Sequence, residues 1–167
     1  MANAQRPVVN QRLYFVGLHI EWLAEQLANQ MIAKTVLEQS LGESVLFHLI
    51  KTYQAYLAEI AAAYTVPLTD FTNAKQLLEL LEVEGRQSSE ALELYELEAA
   101  DSWLNKLQRQ YHSIGPVDRS GTGSQNSQIV AISNSDNRNT LDLESIKHYW
   151  QQLTAIIDNQ RERLEEW

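Results

Sequence analysis

Apolar side chains recur at three- and four-residue spacing over residues 9–112, and again over residues 141–167. This spacing matches the 3.6-residue turn of an α-helix, so each run places its apolar side chains on one helix face. Only 3 prolines and 6 glycines interrupt the 167 residues, which also favours helices. We therefore predict an all-α fold, an antiparallel four-helix-type bundle with an additional short helix and a long loop before the last helix.

Two long helices are predicted in the first half of the chain. The first spans about residues 9–39, because Ser40 and Glu43 have the spacing of a capping box, which marks the start of the next helix. The second ends at about Tyr64, shortly before Pro67. Each helix carries an apolar stripe: Leu13, Val16, Ile20, Leu23 and Leu27 in the first, and Leu46, Leu49, Tyr53, Leu57, Ile60 and Tyr64 in the second.

A short third helix and a longer fourth helix are predicted next. Residues 72–84 form the short helix, and Gly85 suits the left-handed position that follows a helix. Ser88 or Ser89 can cap the fourth helix, which continues towards a stop at Gly115 and Pro116. Its predicted core-facing stripe is Leu92, Tyr95, Ala99, Trp103, Leu107 and Tyr111.

The last helix follows a long connection, residues 115–139, which is rich in Gly, Ser and Asn. We predict a flexible loop within one domain that spans residues 1–167, since connections of this length are unusual in compact domains. The apolar residues 129–132 either pin the loop to the bundle, which we favour, or pair as a short strand. The helix begins after Thr140, with Asp142 and Glu144 in its first turn, where acids complement the helix dipole.

The chain is acidic and has no cysteine. Its net charge of −9 argues against nucleic acid as a partner, because nonspecific affinity for DNA or RNA comes from Lys and Arg. Disulfides and thiolate metal sites are excluded. No apolar run approaches the roughly 20 residues of a membrane span, and no apolar leader follows Arg6, so we predict a cytoplasmic protein.

Acidic residues crowd one stretch, residues 79–101, where Arg86 is the only base. We interpret this stretch as a solvated surface that aids solubility, with a docking surface for a basic partner as the alternative. The acids are Glu79, Glu82, Glu84, Glu90, Glu93, Glu96, Glu98 and Asp101.

No metal or cofactor site is predicted. Diiron bundles need Glu-x-x-His pairs, and none of the four histidines has a glutamate three residues before it. Glu144 and His148 are four residues apart but project away from the apolar stripe, which indicates a surface pair. The glycines at 121 and 123 lack the lysine and the adjoining helix start of a phosphate-binding loop.

Arg12 and His19 are the pair with a catalytic interpretation. They are nearly two helical turns apart and share a helix face. The pair is similar to the Arg-x(4–6)-His pair of small helical-bundle ribonucleases of the HEPN class, which holds phosphate and moves a proton. That class carries its pair at the start of a late helix, and an acidic protein attracts RNA poorly. A ribonuclease or toxin-system component is therefore the alternative function.

The first helix is apolar on two faces. At about 100° per residue, Phe15, Leu18 and Trp22 fall opposite its core-facing stripe. Such a helix either is surrounded by other elements, here the short third helix or residues 129–132, or presents one face to a partner. In the second case these three residues anchor self-association or partner binding, edged by Arg12, His19 and Gln26.

The other aromatic residues have simpler interpretations. Trp103 and Trp150 lie in apolar stripes and are predicted to pack in the core. Trp167 is predicted to dock its ring on the bundle, with a C-terminal tag as the alternative. A pocket for an apolar small molecule is a further alternative function, in which hydroxyls between helices would orient the guest: Tyr53, Tyr56 and Tyr64.

Three segments resemble a known family: residues 10–23 (NQRLYFVGLHIEWL), residues 102–104 (SWL) and the terminal Trp167. They are similar to a family of short bacterial helical proteins classed as a domain of unknown function. The resemblance implies a cytoplasmic all-helical domain. It implies no activity, so it assigns no catalytic residue.

Protein–protein contact is the function that these features favour. We predict a non-enzymatic helical-bundle protein that works as a homo-oligomer or a small adaptor through Phe15, Leu18 and Trp22. The acidic stretch at residues 79–101 is a secondary contact candidate. No cofactor is implied.

Overall fold

The computed structural model describes residues 4–114 and 141–165, and within these ranges it contains six helices and no strand. The all-α prediction is confirmed. The predicted loop at 115–139, its apolar residues 129–132 and the ring of Trp167 lie outside the described residues. The helices are α1 (Arg6–Asn29), α2 (Lys34–Ala63), α3 (Ala74–Val83), α4 (Ser89–Ala99), α5 (Trp103–Ser113) and α6 (Leu143–Glu165).

Helix α2 is the centre of the bundle. It pairs with α1 as an antiparallel hairpin, and α6 packs against both of these helices. Helices α3, α4 and α5 also contact α2 and pack against one another in chain order. The stripe predicted for the second helix is buried as expected except at Tyr64, which is half-buried just past the end of α2. The core is built around the largest fully buried side chains of α2: Tyr53, Tyr56, Leu46, Leu49, Leu57 and Ile60.

The chain reversal after the first helix comes earlier than predicted. Helix α1 ends at Asn29, and Gln30 adopts a left-handed conformation with φ of 53°. The predicted break at Ser40 and Glu43 is wrong, because both residues lie inside α2. Serine and glutamate at the spacing of a capping box can also lie inside a helix, on its exposed surface, so this local spacing does not by itself start a helix. A reversal at Gln30 lets the long apolar stripes of α1 and α2 pack against each other, and tertiary packing supplies most helix stability.

The predicted fourth helix is two helices, α4 and α5, with a break at residues 100–102. Ser102 caps α5, since its hydroxyl oxygen accepts hydrogen bonds from the backbone N–H groups of Leu104 (3.1 Å) and Asn105 (3.3 Å). Four orphan N–H groups begin every helix, so a serine that satisfies two of them favours a new start there.

This break also changes which side of α4 is buried. The predicted core positions on α4 are wrong: Leu92, Tyr95 and Ala99 are exposed, whereas Ala91 and Leu94 are fully buried. The prediction assumed one continuous helix through Trp103 and Leu107. A helix interrupted at residues 100–102 restarts with a different rotation about its axis, so one stripe cannot serve both halves.

The remaining helix ends follow the sequence signals. Gly85 has a φ of +66°, as its position after α3 predicts. Ser88 accepts a hydrogen bond from the Ala91 N–H at 3.1 Å and caps α4. Asp142 precedes the first turn of α6 instead of lying in it as predicted, and it caps the helix, because its carboxylate accepts from the Ser145 N–H at 2.7 Å.

A buried ion pair ties α6 to the hairpin. Arg161 donates two hydrogen bonds of 2.7 Å to the carboxylate of Glu59 on α2, and a third of 2.9 Å to Asn10 on α1. The side chains of Arg161 and Glu59 are only 9% and 4% exposed. Three helices are therefore held together by one charged group that has almost no access to water.

The acidic stretch at residues 79–101 is partly internal. Glu98 accepts hydrogen bonds from the Tyr53 hydroxyl (2.6 Å), the Ala74 N–H (3.0 Å) and the Gln108 amide (2.8 Å). Burial, and then the nearby carboxylate of Glu98, raises the pKa of Tyr53, so this hydroxyl keeps the proton that it donates. Glu90 and Glu93 also accept internal hydrogen bonds, from Tyr64 and from Arg163 and Gln160.

Replacing Glu98 with Ala is expected to lower the free energy of unfolding by about 2 kcal/mol, because the Tyr53 hydroxyl and the Ala74 N–H would lose their acceptor. Urea unfolding followed by circular dichroism measures this loss. Glu96→Ala is the matched control, since Glu96 is exposed on the same helix. Its replacement is expected to change the free energy of unfolding by less than about 0.5 kcal/mol. Equal losses in both variants would show that the hydrogen bonds of Glu98 do not stabilise the fold.

Candidate functional site

Exposed apolar side chains concentrate on α1, on the connection to α2 and on the first half of α2. Trp22 is 51% exposed, Leu18 is 42% exposed and Phe15 is half-buried, while Phe47 on α2 is 42% exposed. Within the described residues, eight of the twelve large apolar side chains that are exposed belong to this region: Val8, Tyr14, Leu18, Trp22, Met31, Ile32, Val36 and Phe47. We define the aromatic face as Phe15, Leu18, His19, Trp22, Phe47 and His48.

Two imidazole rings form the centre of the aromatic face. The ring centroids of His19 on α1 and His48 on α2 lie 4.5 Å apart. His48 also lies 5.9 Å from Phe15 and 5.4 Å from Phe47, and His19 lies 6.5 Å from Trp22, all measured between ring centroids. Five rings therefore form one continuous cluster across the two helices.

The two imidazoles have different surroundings. The His19 Nδ1 lies 2.8 Å from the backbone carbonyl of Phe15, and it must carry the proton and donate, because a carbonyl oxygen only accepts. The Nδ1 of His48 is buried and has no hydrogen-bond partner within the described residues. Burial, and then the neighbouring His19 and Arg12, lowers the pKa of His48, so this ring is neutral at pH 7.

Opposite charges lie at the two ends of the aromatic face. Arg12 precedes its apolar residues on α1, and Lys51 of α2 lies with its ammonium group 5.8 Å from the centroid of the Phe47 ring. The exposed carboxylates of Glu21 and Glu25 edge the other end, and at 1.5 Å per residue Glu25 lies about 20 Å along α1 from Arg12. In the part of the chain that the structure describes, seven of the eleven lysines and arginines form ion pairs, whereas Arg12 and Lys51 form none.

The short third helix does not cover the aromatic face. Helix α3 packs against α4 and α2, whereas α1 packs against α2 and α6. Of the two elements that the sequence offered to cover this face, α3 is therefore excluded. The other, residues 129–132, lies outside the described residues.

Several other predicted sites are engaged in packing. The hydroxyls of Tyr53, Tyr56 and Tyr64 donate to Glu98, Gln160 and Glu90, so each of them already has an internal acceptor. Trp103 and Trp150 are half-buried and pack against the core. Among residues 4–114 and 141–165, no group of three or more His, Asp or Glu side chains gathers where it could hold a metal ion.

Sequence reasoning did not single out His48 or Phe47. Arg12 and His19 do share a face, as their spacing predicts, but His48 reaches them only because the chain reverses at Gln30. Phe47 lies off the core stripe that Leu46 and Leu49 define. An aromatic residue outside the core stripe of a helix indicates an exposed apolar side chain, and this signal could have identified Phe47.

Within residues 4–114 and 141–165, the helices form an all-α bundle and the ring cluster is an exposed surface of it. None of the helices in the described ranges combines the length and the hydropathy that a membrane-spanning segment needs. The chain belongs to a family described as "Family of unknown function (DUF6586)", whose model matches residues 1–167. Neither a curated protein nor a solved structure matches the chain.

Proposed function

We propose that the protein works by binding another protein molecule through the aromatic face. The observation that carries this proposal is the exposure of Trp22, Leu18 and Phe47 around the imidazole pair. Contiguous apolar surface on a soluble protein marks an interaction site. Tryptophan and arginine are also enriched among residues that dominate binding energies, and both are present here as Trp22 and Arg12.

The energetics of the face favour contact over packing within the bundle. About half of the Trp22 side chain still touches water. Burying the rest against a partner removes apolar surface from water, which contributes roughly 25 cal/mol per Å² to binding.

Homo-oligomer and adaptor are the two forms this function can take, and a cytoplasmic location remains part of the proposal. Fractionation of cells that express the tagged protein tests the location.

Trp22→Glu is expected to leave the protein folded and to raise the dissociation constant of the contact about 30-fold, since a central aromatic anchor contributes about 2 kcal/mol or more. Sedimentation equilibrium of the purified protein measures self-association, and co-purification with the tagged protein from its own cells measures binding of another partner. Circular dichroism checks folding.

Leu68→Glu is the matched control, because Leu68 has the same 51% exposure as Trp22 but follows Pro67 beyond the far end of α2. It is expected to bind as the wild type does. Equal binding by Trp22→Glu and wild type would refute a contact through this face. Loss of helicity in Trp22→Glu would make Trp22 a core residue and would also refute it.

RNA cleavage is the second candidate function, and one observation favours it. Arg12 lies close enough to His48 to lower its pKa, which groups Arg12, His19 and His48 as an anion-binding and proton-transferring set. We rank it second because ring centroids 4.5 Å apart leave no room for a phosphate between the two imidazoles. Purified protein would have to cut RNA and lose this activity in His19→Ala.

A further inference from the structure

We infer that the molecule bound by the aromatic face is a second copy of this chain, held across a two-fold axis with the two α1 helices antiparallel. The inference rests on the proposed function of that face and names its partner. Closed two-fold dimers are the commonest oligomers, and their interfaces are self-complementary, so the same surface must fit itself. The aromatic face meets this requirement in charge and in the order of its side chains.

The charges at the two ends of the face complement each other in an antiparallel arrangement. Arg12 and Lys51 lie at one end, and Glu21 and Glu25 edge the other. Within the described residues, none of these four side chains forms an ion pair inside its own molecule. When a second copy is turned by 180°, its acidic end lies against the basic end of the first copy. The two-fold axis repeats this contact at the other end of the interface.

The apolar residues between these ends are ordered in the same symmetrical way. Leu18 lies near the middle of the face on α1, with Phe15 on one side and Trp22 on the other. An antiparallel copy therefore presents an aromatic, an aliphatic and an aromatic side chain in the same order. Rings and Leu18 side chains can then pack together in the centre, where burial contributes most to affinity.

Other arrangements of two copies fit less well. A parallel pair would place Arg12 against Arg12 and Glu25 against Glu25, and like charges in an interface oppose binding. The exposed side of α4 offers a different surface, with Leu92, Tyr95 and Glu96. That surface carries an acid to meet Arg12 but no cation to meet Glu25.

Charge reversal at the two ends tests the arrangement. Arg12→Glu and Glu25→Arg are each expected to raise the dissociation constant of the dimer by about tenfold or more, because each puts two like-charged pairs into one interface. The double variant Arg12→Glu/Glu25→Arg is expected to return to the wild-type constant. An equimolar mixture of the two single variants is expected to form dimers with one chain of each kind, which native mass spectrometry identifies by mass.

Arg109→Glu is the control for the change in charge, since Arg109 is exposed on α5 and forms no ion pair in the described ranges. It is expected to dimerise as the wild type does. A double variant as weak as the single ones, or a mixture without mixed dimers, would overturn the antiparallel dimer. If Trp22→Glu still lost a binding partner, the face would then serve a different protein. A wild-type chain that is monomeric at its highest soluble concentration would also overturn the dimer.

Discussion

Arg161→Met is expected to lower the free energy of unfolding by about 3–5 kcal/mol. The variant keeps the apolar part of the side chain but leaves the Glu59 carboxylate without its bidentate partner in a site that is 4% exposed. It also removes the hydrogen bond to Asn10, and with it a link between α6 and α1. Urea unfolding at pH 7, followed by circular dichroism, measures the loss.

A second substitution separates the charge from the packing. Glu59→Leu combined with Arg161→Met is expected to recover most of the stability, because apolar side chains of similar volume can replace a buried ion pair at little cost. Lys75→Met removes the cation of an ion pair whose side chains are 67% and 63% exposed, and it is expected to cost less than about 1 kcal/mol. A cost for Arg161→Met no greater than for Lys75→Met would show that the buried pair does not hold the helices together.

Acidification is expected to dissociate the dimer. Burial of the ring, and then His19 and Arg12 from α1, already lower the pKa of His48 in one molecule. A second copy would bury the ring further, so the dimer takes up protons less readily than the monomer. With two such rings per dimer, the dissociation constant is expected to rise by up to about 100-fold per pH unit.

The direction follows from the lowered pKa. If association lowers the pKa of His48 further, the dimer has its full stability at pH values where His48 is neutral in the monomer as well. Stability is lost as the pH falls through the lowered pKa of His48 in the monomer. Sedimentation equilibrium at several pH values between neutral and mildly acidic measures the slope. His48→Gln is expected to flatten it, and an unchanged slope in that variant would assign the titration to another group.

The sequence predicted those parts of the structure that depend on local spacing. The stripes of α1 and α2, the left-handed Gly85 and the cap at Ser88 follow from period and end signals, and the structure has them. The reversal at Gln30 has no such signal, because neither glycine nor proline marks it. The position of this turn is determined by how the apolar surfaces of α1 and α2 pack against each other.

The candidate site was predicted in part for the same reason. Phe15, Leu18 and Trp22 share one helix, so their common face follows from spacing alone. His48 joins them through the reversal, and a break at Ser40 would have placed it at a different level along α1. The links from Glu98 to Tyr53 and from Arg161 to Glu59 also join distant segments, and no periodicity in the sequence encodes such pairs.

Protection of Trp22 from hydroxyl radicals, measured by mass spectrometry over a dilution series, tests the aromatic face most directly. Self-association through this face predicts that oxidation of Trp22 is low in concentrated solution and rises as the protein is diluted. Trp103, which is half-buried against the core of its own molecule, is expected to be oxidised equally at every concentration. Oxidation of Trp22 that does not change with concentration would contradict the dimer and leave only a different protein as the partner of this face.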